Sequence, residues 1–98
     1  MDAIWVFNGD GQFPSAVFSS REKAEAWIGR HRLAGTLTKY PIDVSVYDWV
    51  IEKGYWKPTR PHQQTPKFIQ QFSSAYMEHY HYECGESLGE NEQRTTNN

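Results

Sequence analysis

The pattern of apolar and polar residues begins with two short apolar and aromatic runs, residues 3–7 and 13–18, separated by Asn8-Gly9-Asp10-Gly11. Asn, Asp and Gly tolerate the positive φ angles of hairpin loops, so the pattern predicts an N-terminal β-hairpin. Pro14 has no backbone N–H to donate, so the second strand is expected to begin after it or to have it on an edge.

A helix is predicted to begin at about residue 20. Ser19 and Glu22 have the spacing of a capping box, in which each side chain accepts a hydrogen bond from the other residue's backbone N–H. Gly35 lies just after the expected end and is a plausible left-handed terminator. Trp27 is expected to face the sheet, because it belongs to a stripe at helical spacing that comprises Ala24, Trp27, Ile28 and His31.

The middle of the chain predicts a third strand at residues 36–40, which ends at Pro41. Residues 43–54 are ambiguous between a strand and a helix, since their β-branched residues favour a strand. Ser45, with Asp48 three positions later and Gly54 at the far end, favours a short helix at about residues 46–53. A short strand at residues 55–57 is expected to follow.

Residues 57–64 predict a loop, and Thr65-Pro66 predicts the start of a third helix, at residues 66–79. Residues 85–98 contain one leucine and no aromatic residue, which is typical of a flexible tail behind a single domain at residues 1–84. Together the elements predict an α+β fold: a small, mostly antiparallel sheet, made of the hairpin and one or two further strands, packed against two main helices and one short helix.

Composition narrows the classes of function. The 98 residues carry a formal net charge of -2, which gives no electrostatic support for nucleic-acid binding, and we expect no nucleic-acid partner. With a single cysteine, the chain can form no internal disulfide, which is usual for a cytoplasmic protein. Neither a signal-like N-terminus nor an apolar run of membrane-spanning length is present, and we expect no membrane partner.

The segment Glu78-His79-Tyr80-His81-Tyr82-Glu83-Cys84 is the strongest candidate for chemistry. If it is extended, His79, His81 and Glu83 share one face, as in a site with two histidines and one carboxylate, and Cys84 points away. If it is helical, only His79 and Glu83 are neighbours. No second cluster supplies further ligands, so we expect no metal and no cofactor, and a small metal- or thiol-dependent enzyme built on these four residues remains the alternative.

An aromatic and acidic segment around residues 43–56 predicts a surface that binds a partner. Alternate aromatic side chains face opposite sides of their element, so some are expected to be exposed, and exposed Tyr and Trp are typical of protein interfaces. The predicted partner-binding residues are Asp43, Tyr47, Asp48, Glu52, Tyr55 and Trp56.

Three blocks of the sequence, WVFNGDGQFPSAVFSSREKAEAWI, GTLTKYPIDVSVYDWVIEKGYW and FSSAYMEHYHYE, resemble a family of small bacterial domains of unknown function. The resemblance covers roughly residues 3–83 and looks like the architecture of short proteins encoded beside polymorphic toxin genes. The resemblance implies an immunity protein, and it identifies no catalytic residue in this sequence.

We therefore expect a small cytoplasmic protein-binding module that is not an enzyme and that is a monomer or a weak homodimer. Its expected partner is a toxin domain, which it would neutralise by direct binding. A nuclease is favoured, because its basic surface would attract carboxylates. An inhibitor of a host defence protein, encoded by a phage or mobile element, is the alternative within the same class.

Overall fold

The computed structural model describes residues 2–89, and these form one antiparallel sheet of five strands with three α-helices. The elements are β1 Ala3–Asn8, β2 Ala16–Phe18, α1 Arg21–His31, β3 Gly35–Pro41, α2 Val46–Glu52, a 3₁₀ helix Pro61–Gln64, α3 Pro66–Gln70, β4 His79–Glu83 and β5 Glu86–Ser87. The strand order is β2-β1-β3-β4-β5. The predicted α+β fold is confirmed, with one strand more than the prediction allowed.

The predicted N-terminal hairpin is confirmed by the pairing of β1 with β2, in which Trp5 lies opposite Phe18. Because side chains alternate along a strand, Trp5 and Phe7 share one face, and Phe7 lies opposite Leu37 of β3. Leu37 in turn lies opposite Tyr80 of β4. The buried residues of this face and of α1 are called the sheet core below: Trp5, Phe7, Ala24, Ile28, Leu37, Tyr80 and Tyr82.

The helix α1 covers this face of the sheet. Ala24 and Ile28 are fully buried, as their spacing of four residues predicts for one helical face. The half-buried ring of Trp27 lies 5.6 Å from the ring of Phe7 and 5.5 Å from that of Phe18. The prediction that Trp27 faces the sheet is therefore confirmed.

The predicted cap of α1 is wrong by one position. Ser20, not Ser19, is the N-cap, and its hydroxyl accepts a hydrogen bond of 3.2 Å from the backbone N–H of Lys23. Phe18 is held in β2, so the chain bends at Ser19 and Ser20 before helical geometry begins at Arg21. The capping box between Ser19 and Glu22 does not form.

The predicted role of Gly35 as helix terminator is also wrong. Arg32 adopts the left-handed conformation, with φ 54° and ψ 50°, and donates its backbone N–H to the carbonyl of Gly29. Gly35 instead begins β3, where a Cβ atom would lie 2.6 Å from the ring of Phe7 and would collide with the carbonyl of Asn8. Glycine is required there because two strands meet without space for a side chain.

The predicted third strand and short helix are confirmed as β3 and α2. The hydroxyl of Ser45 accepts a 2.9 Å hydrogen bond from the backbone N–H of Asp48, which satisfies one of the free donors at the start of α2. This cap decides the ambiguity of residues 43–54 in favour of the helix.

The short strand predicted at residues 55–57 does not form, because the rings there pack against other side chains and no neighbouring strand pairs with them. Trp56 stacks on Phe68 of α3, with ring centroids 6.0 Å apart, and lies 4.9 Å from Phe72. Tyr47, Trp56, Phe68 and Phe72 are called the aromatic cluster below.

The predicted third helix is wrong beyond its first turn. Thr65 caps α3 as expected, but the helix ends at Gln70, and residues from His79 onward form β4. Aromatic residues recur at helical spacing in this segment, but a second demand outweighs that spacing. The second edge of β3 has backbone groups that need hydrogen-bond partners. Pairing with β4 satisfies them, and it buries Tyr80 and Tyr82 on the α1 side of the sheet.

The sheet extends into the segment predicted as a tail. Glu86 and Ser87 form β5 and pair with Glu83 and Tyr82 of β4. The turn between the two strands packs against the end of α1, where the backbone N–H of Gly85 donates to the carbonyl of Leu33 over 2.9 Å. Residues 90–98 of the predicted tail lie outside the described residues.

Candidate functional site

The helix α2 separates the predicted binding residues into buried and exposed ones. Tyr47 and Val50 point inward and are 7% and 0% exposed. Asp48 and Glu52 lie one helical turn apart on the outer face, and both are exposed. Asp43, just before the helix, is exposed as well and has a positive φ of 67°.

Tyr47 is not a surface anchor, contrary to the prediction. Its ring lies 5.7 Å from Trp56, 6.4 Å from Phe68 and 5.4 Å from Phe72 in edge-on contacts. Its hydroxyl donates a 2.8 Å hydrogen bond to the carbonyl of Gln63 in the 3₁₀ helix. Tyr47 therefore holds three short elements together from inside, because each of them is too short to be stable alone.

Trp56 is half-buried and serves the same aromatic cluster, since its ring faces Phe68 and Phe72. Of the predicted aromatic anchors, only Tyr55 is exposed, at 40%. The sequence pattern could not make this distinction, because which rings share a side depends on contacts with residues 68 and 72, far along the chain.

Tyr55 belongs to a row of three rings at the surface, which we call the aromatic strip: Trp49, Tyr55 and Tyr76. Tyr55 stacks on Tyr76 with centroids 4.6 Å apart and planes at 14°, and its ring lies 5.6 Å from Trp49. Trp49 and Tyr76 are half-buried, so the strip is a supported surface rather than a set of mobile side chains. The sequence prediction of site residues missed Tyr76, because it assigned that residue to a helix that does not form.

The carboxylates beside the strip make no ion pair within residues 2–89, where the ion pairs are Arg21 with Glu25 and Lys39 with Glu78. Asp48 and Glu52 are like charges at a spacing of four residues, an arrangement that destabilises a helix by about 0.2–0.5 kcal/mol. Asp48 lies in the first turn of α2, where the helix dipole favours a carboxylate, whereas Glu52 ends the helix and gains nothing from the dipole.

The histidine segment is extended, so His79, His81 and Glu83 share the face of the sheet opposite α1. The two imidazole rings lie 5.3 Å apart at 90°. Nδ1 of His79 lies 2.7 Å from the carbonyl of Met77, and because a carbonyl only accepts, this nitrogen carries the proton. Nδ1 of His81 lies 3.2 Å from the hydroxyl of Thr36.

These residues do not assemble a metal site in the described part of the chain. No group of three or more His, Cys, Asp or Glu side chains within residues 2–89 is placed to hold a metal ion. Cys84 is exposed in the β4–β5 turn with a φ of 51°, one residue beyond the strand. The extended geometry weighed in the sequence analysis is present, but its ligands are too few.

On the α1 side of the sheet, the two tyrosines of the same segment enter a polar network. The hydroxyl of Tyr82 donates to Glu25 over 2.5 Å, and that of Tyr80 donates to Glu78 over 2.6 Å. The guanidinium of Arg21 lies 3.6 Å from the centre of the Tyr80 ring. Burial, reinforced by the neighbouring carboxylate, raises the pKa of both tyrosines, so both remain neutral donors.

The fold is that of a small α+β domain. Its aromatic strip lies beside the exposed acidic side of α2. The chain belongs to the DUF7710 family, a domain of unknown function, whose model matches residues 4–88. This confirms the resemblance to a family of unknown function, and the description assigns neither a partner nor a reaction. No curated protein and no solved structure matches the chain. No helix within residues 2–89 has the length and apolar character needed to cross a membrane.

Proposed function

We propose that this protein is a non-enzymatic, cytoplasmic binding module that neutralises a toxin domain by covering its working surface, as immunity proteins do. The observation that carries the proposal is the juxtaposition of the aromatic strip with the unpaired carboxylates of α2. Rigid aromatic rings supply desolvated contact area, and carboxylates steer a basic partner towards it.

The proposed binding face consists of Asp43, Asp48, Glu52 and Tyr55, with Trp49 and Tyr76 in place of the buried Tyr47 and Trp56. Tyr55 is the expected central anchor, because it is the most exposed of the three rings and is held between the other two. A nuclease domain fits this face best, since its substrate-binding surface is basic.

The test is a kinetic binding measurement with the purified product of the adjacent gene. Tyr55→Ala is expected to speed dissociation and to weaken binding by about 2 kcal/mol or more, as for an interface hot spot. The double charge reversal of Asp48 and Glu52 to Lys is expected to slow association and to reduce its salt dependence.

Asp10→Lys is the control for charge reversal at a distance. Asp10 is exposed in the β1–β2 loop, at the end of the sheet opposite α2, so its reversal changes the net charge by +2 away from the face, which matches the single reversal Asp48→Lys and is half the change of the double variant. A melt of each variant checks the fold. Unchanged binding by the folded Tyr55 and α2 variants, or no binding by the parent, would contradict the proposal.

A further inference from the structure

A cleft of about 320 Å³ lies between α2 and the adjoining end of the sheet, where β1 begins, β3 ends and β4 begins. Small-molecule sites start at about 300 Å³ and combine apolar walls with a few polar groups. Here the polar groups are Asp2, Lys39, Lys53 and Glu78, and the largest apolar wall is Trp49. None of the four was predicted from the sequence as a site residue.

The helix wall of the cleft is formed by Trp49 and Lys53. Lys53 is the C-cap of α2 and keeps a helical backbone, so its spacing of four residues from Trp49 places both side chains on the same side of the helix. Contact with Tyr55, 5.6 Å between ring centroids, orients the indole. The cleft therefore offers a flat apolar surface with an ammonium group at one end.

The sheet wall carries a pair of charges that already compensate each other. The ammonium of Lys39 lies 3.9 Å from one carboxylate oxygen of Glu78. The other oxygen of Glu78 accepts a 2.6 Å hydrogen bond from the hydroxyl of Tyr80. Lys39 also lies 5.9 Å from the centre of the Trp5 ring, so this pair is anchored on the sheet core.

One ammonium and one carboxylate of the cleft remain without an ion pair among residues 2–89, those of Lys53 and Asp2. A purely anionic ligand would face the unpaired carboxylate of Asp2, and a purely cationic one would face the unpaired ammonium of Lys53. We infer that the cleft binds a small zwitterion, such as an amino acid, whose carboxylate meets Lys53, whose ammonium meets Asp2, and whose apolar side chain packs on Trp49.

This inference does not depend on the proposed partner. It is tested by titrating the ¹⁵N-labelled full chain with L-phenylalanine and with two probes of nearly the same body, phenethylamine, which lacks the carboxylate, and 3-phenylpropionate, which lacks the ammonium. L-phenylalanine is expected to cause saturable shifts at residues lining the cleft. Each one-charge probe is expected to bind about three- to tenfold more weakly, as for the loss of one solvent-exposed charged contact.

Two neutralising variants, Lys53→Gln and Asp2→Asn, are expected to weaken L-phenylalanine binding by a similar factor. Both side chains are exposed, so the fold is expected to be retained. Lys57→Gln and Asp10→Asn, which change charges outside the cleft, are the matched controls and are expected to bind like the parent. The inference is overturned if L-phenylalanine gives no saturable shifts, if a one-charge probe binds as tightly, or if the control variants lose as much affinity as the cleft variants.

Discussion

The sheet core and the aromatic cluster are both rich in large rings, but different interactions hold them together. In the sheet core, strand pairing fixes the backbone first, and Phe7, Leu37 and Tyr80 then lie in one row across three strands. In the aromatic cluster, the supporting helices have seven, four and five residues and are joined by irregular chain. Such short helices are marginal in water, so contacts between side chains must hold them.

The candidate sites lie on the region that is held together by contacts between side chains. The acidic face, the aromatic strip and the helix wall of the cleft all use α2, which is attached to the cluster through Tyr47. This part is held by contacts between side chains, whereas the sheet behind it is held by strand pairing.

The largest expected difference in stability is between two side-chain truncations, Phe7→Ala in the sheet core and Tyr47→Ala in the aromatic cluster. Phe7→Ala removes a ring that is 2% exposed and is expected to cost about 3–5 kcal/mol, which would unfold most of a domain of this size. Tyr47→Ala is expected to loosen α2 and α3 locally while the strands keep their structure. Hydrogen exchange, followed residue by residue, separates the two outcomes.

Tyr47→Phe serves as the control, since it keeps the ring and removes only the hydrogen bond to Gln63, worth about 1 kcal/mol. Equal loss of protection in β1, β3 and α2 after Tyr47→Ala would show that the two regions unfold as one cooperative unit and would remove the distinction.

A smaller difference in the free energy of unfolding is expected between alanine substitutions at two glycines, Gly35 and Gly54. Gly35→Ala places a methyl group against the backbone of Asn8 and the ring of Phe7, and we expect a loss of about 3 kcal/mol from this overpacking. Gly54→Ala, after α2, meets no atom within 4 Å and is strained only by its φ of 78°, so a loss of about 1 kcal/mol is expected. Denaturant midpoints of the two variants give the comparison, and equal losses would contradict it.

The smallest effect concerns pH. Burial and the hydrogen bond to Glu25 raise the pKa of Tyr82 in the folded state. The stabilisation is therefore complete below the unfolded pKa of about 10, and it is lost above that pH by at most about 1.4 kcal/mol per pH unit. Tyr82→Phe is expected to flatten the fall in unfolding free energy between about pH 10 and 11, and parallel curves for parent and variant would contradict this.

Local signals in the sequence predicted an element correctly where the residues that stabilise it lie within a few positions of one another. Ser45 and Asp48 marked the start of α2, and the Asn8–Gly11 turn marked the first hairpin. The exposed carboxylates were predicted for the same reason, because the outer face of a capped amphipathic helix follows from its own spacing. The aromatic anchors were not, since Tyr47 and Tyr55 are chemically alike and differ only in what packs against them.

By itself, the sequence determined the α+β class, the hairpin, the first two helices and the acidic face of α2, because hydrogen bonds and spacings within one element are encoded locally. The tertiary structure alone decided that residues 79–83 form a strand rather than the end of a helix, because the open edge of β3 lies more than 35 residues earlier in the chain. It also decided which rings are buried, and it brought Lys53 and Asp2 to one cleft. These outcomes depend on long-range contacts, whose energy outweighs local propensity once the chain is compact.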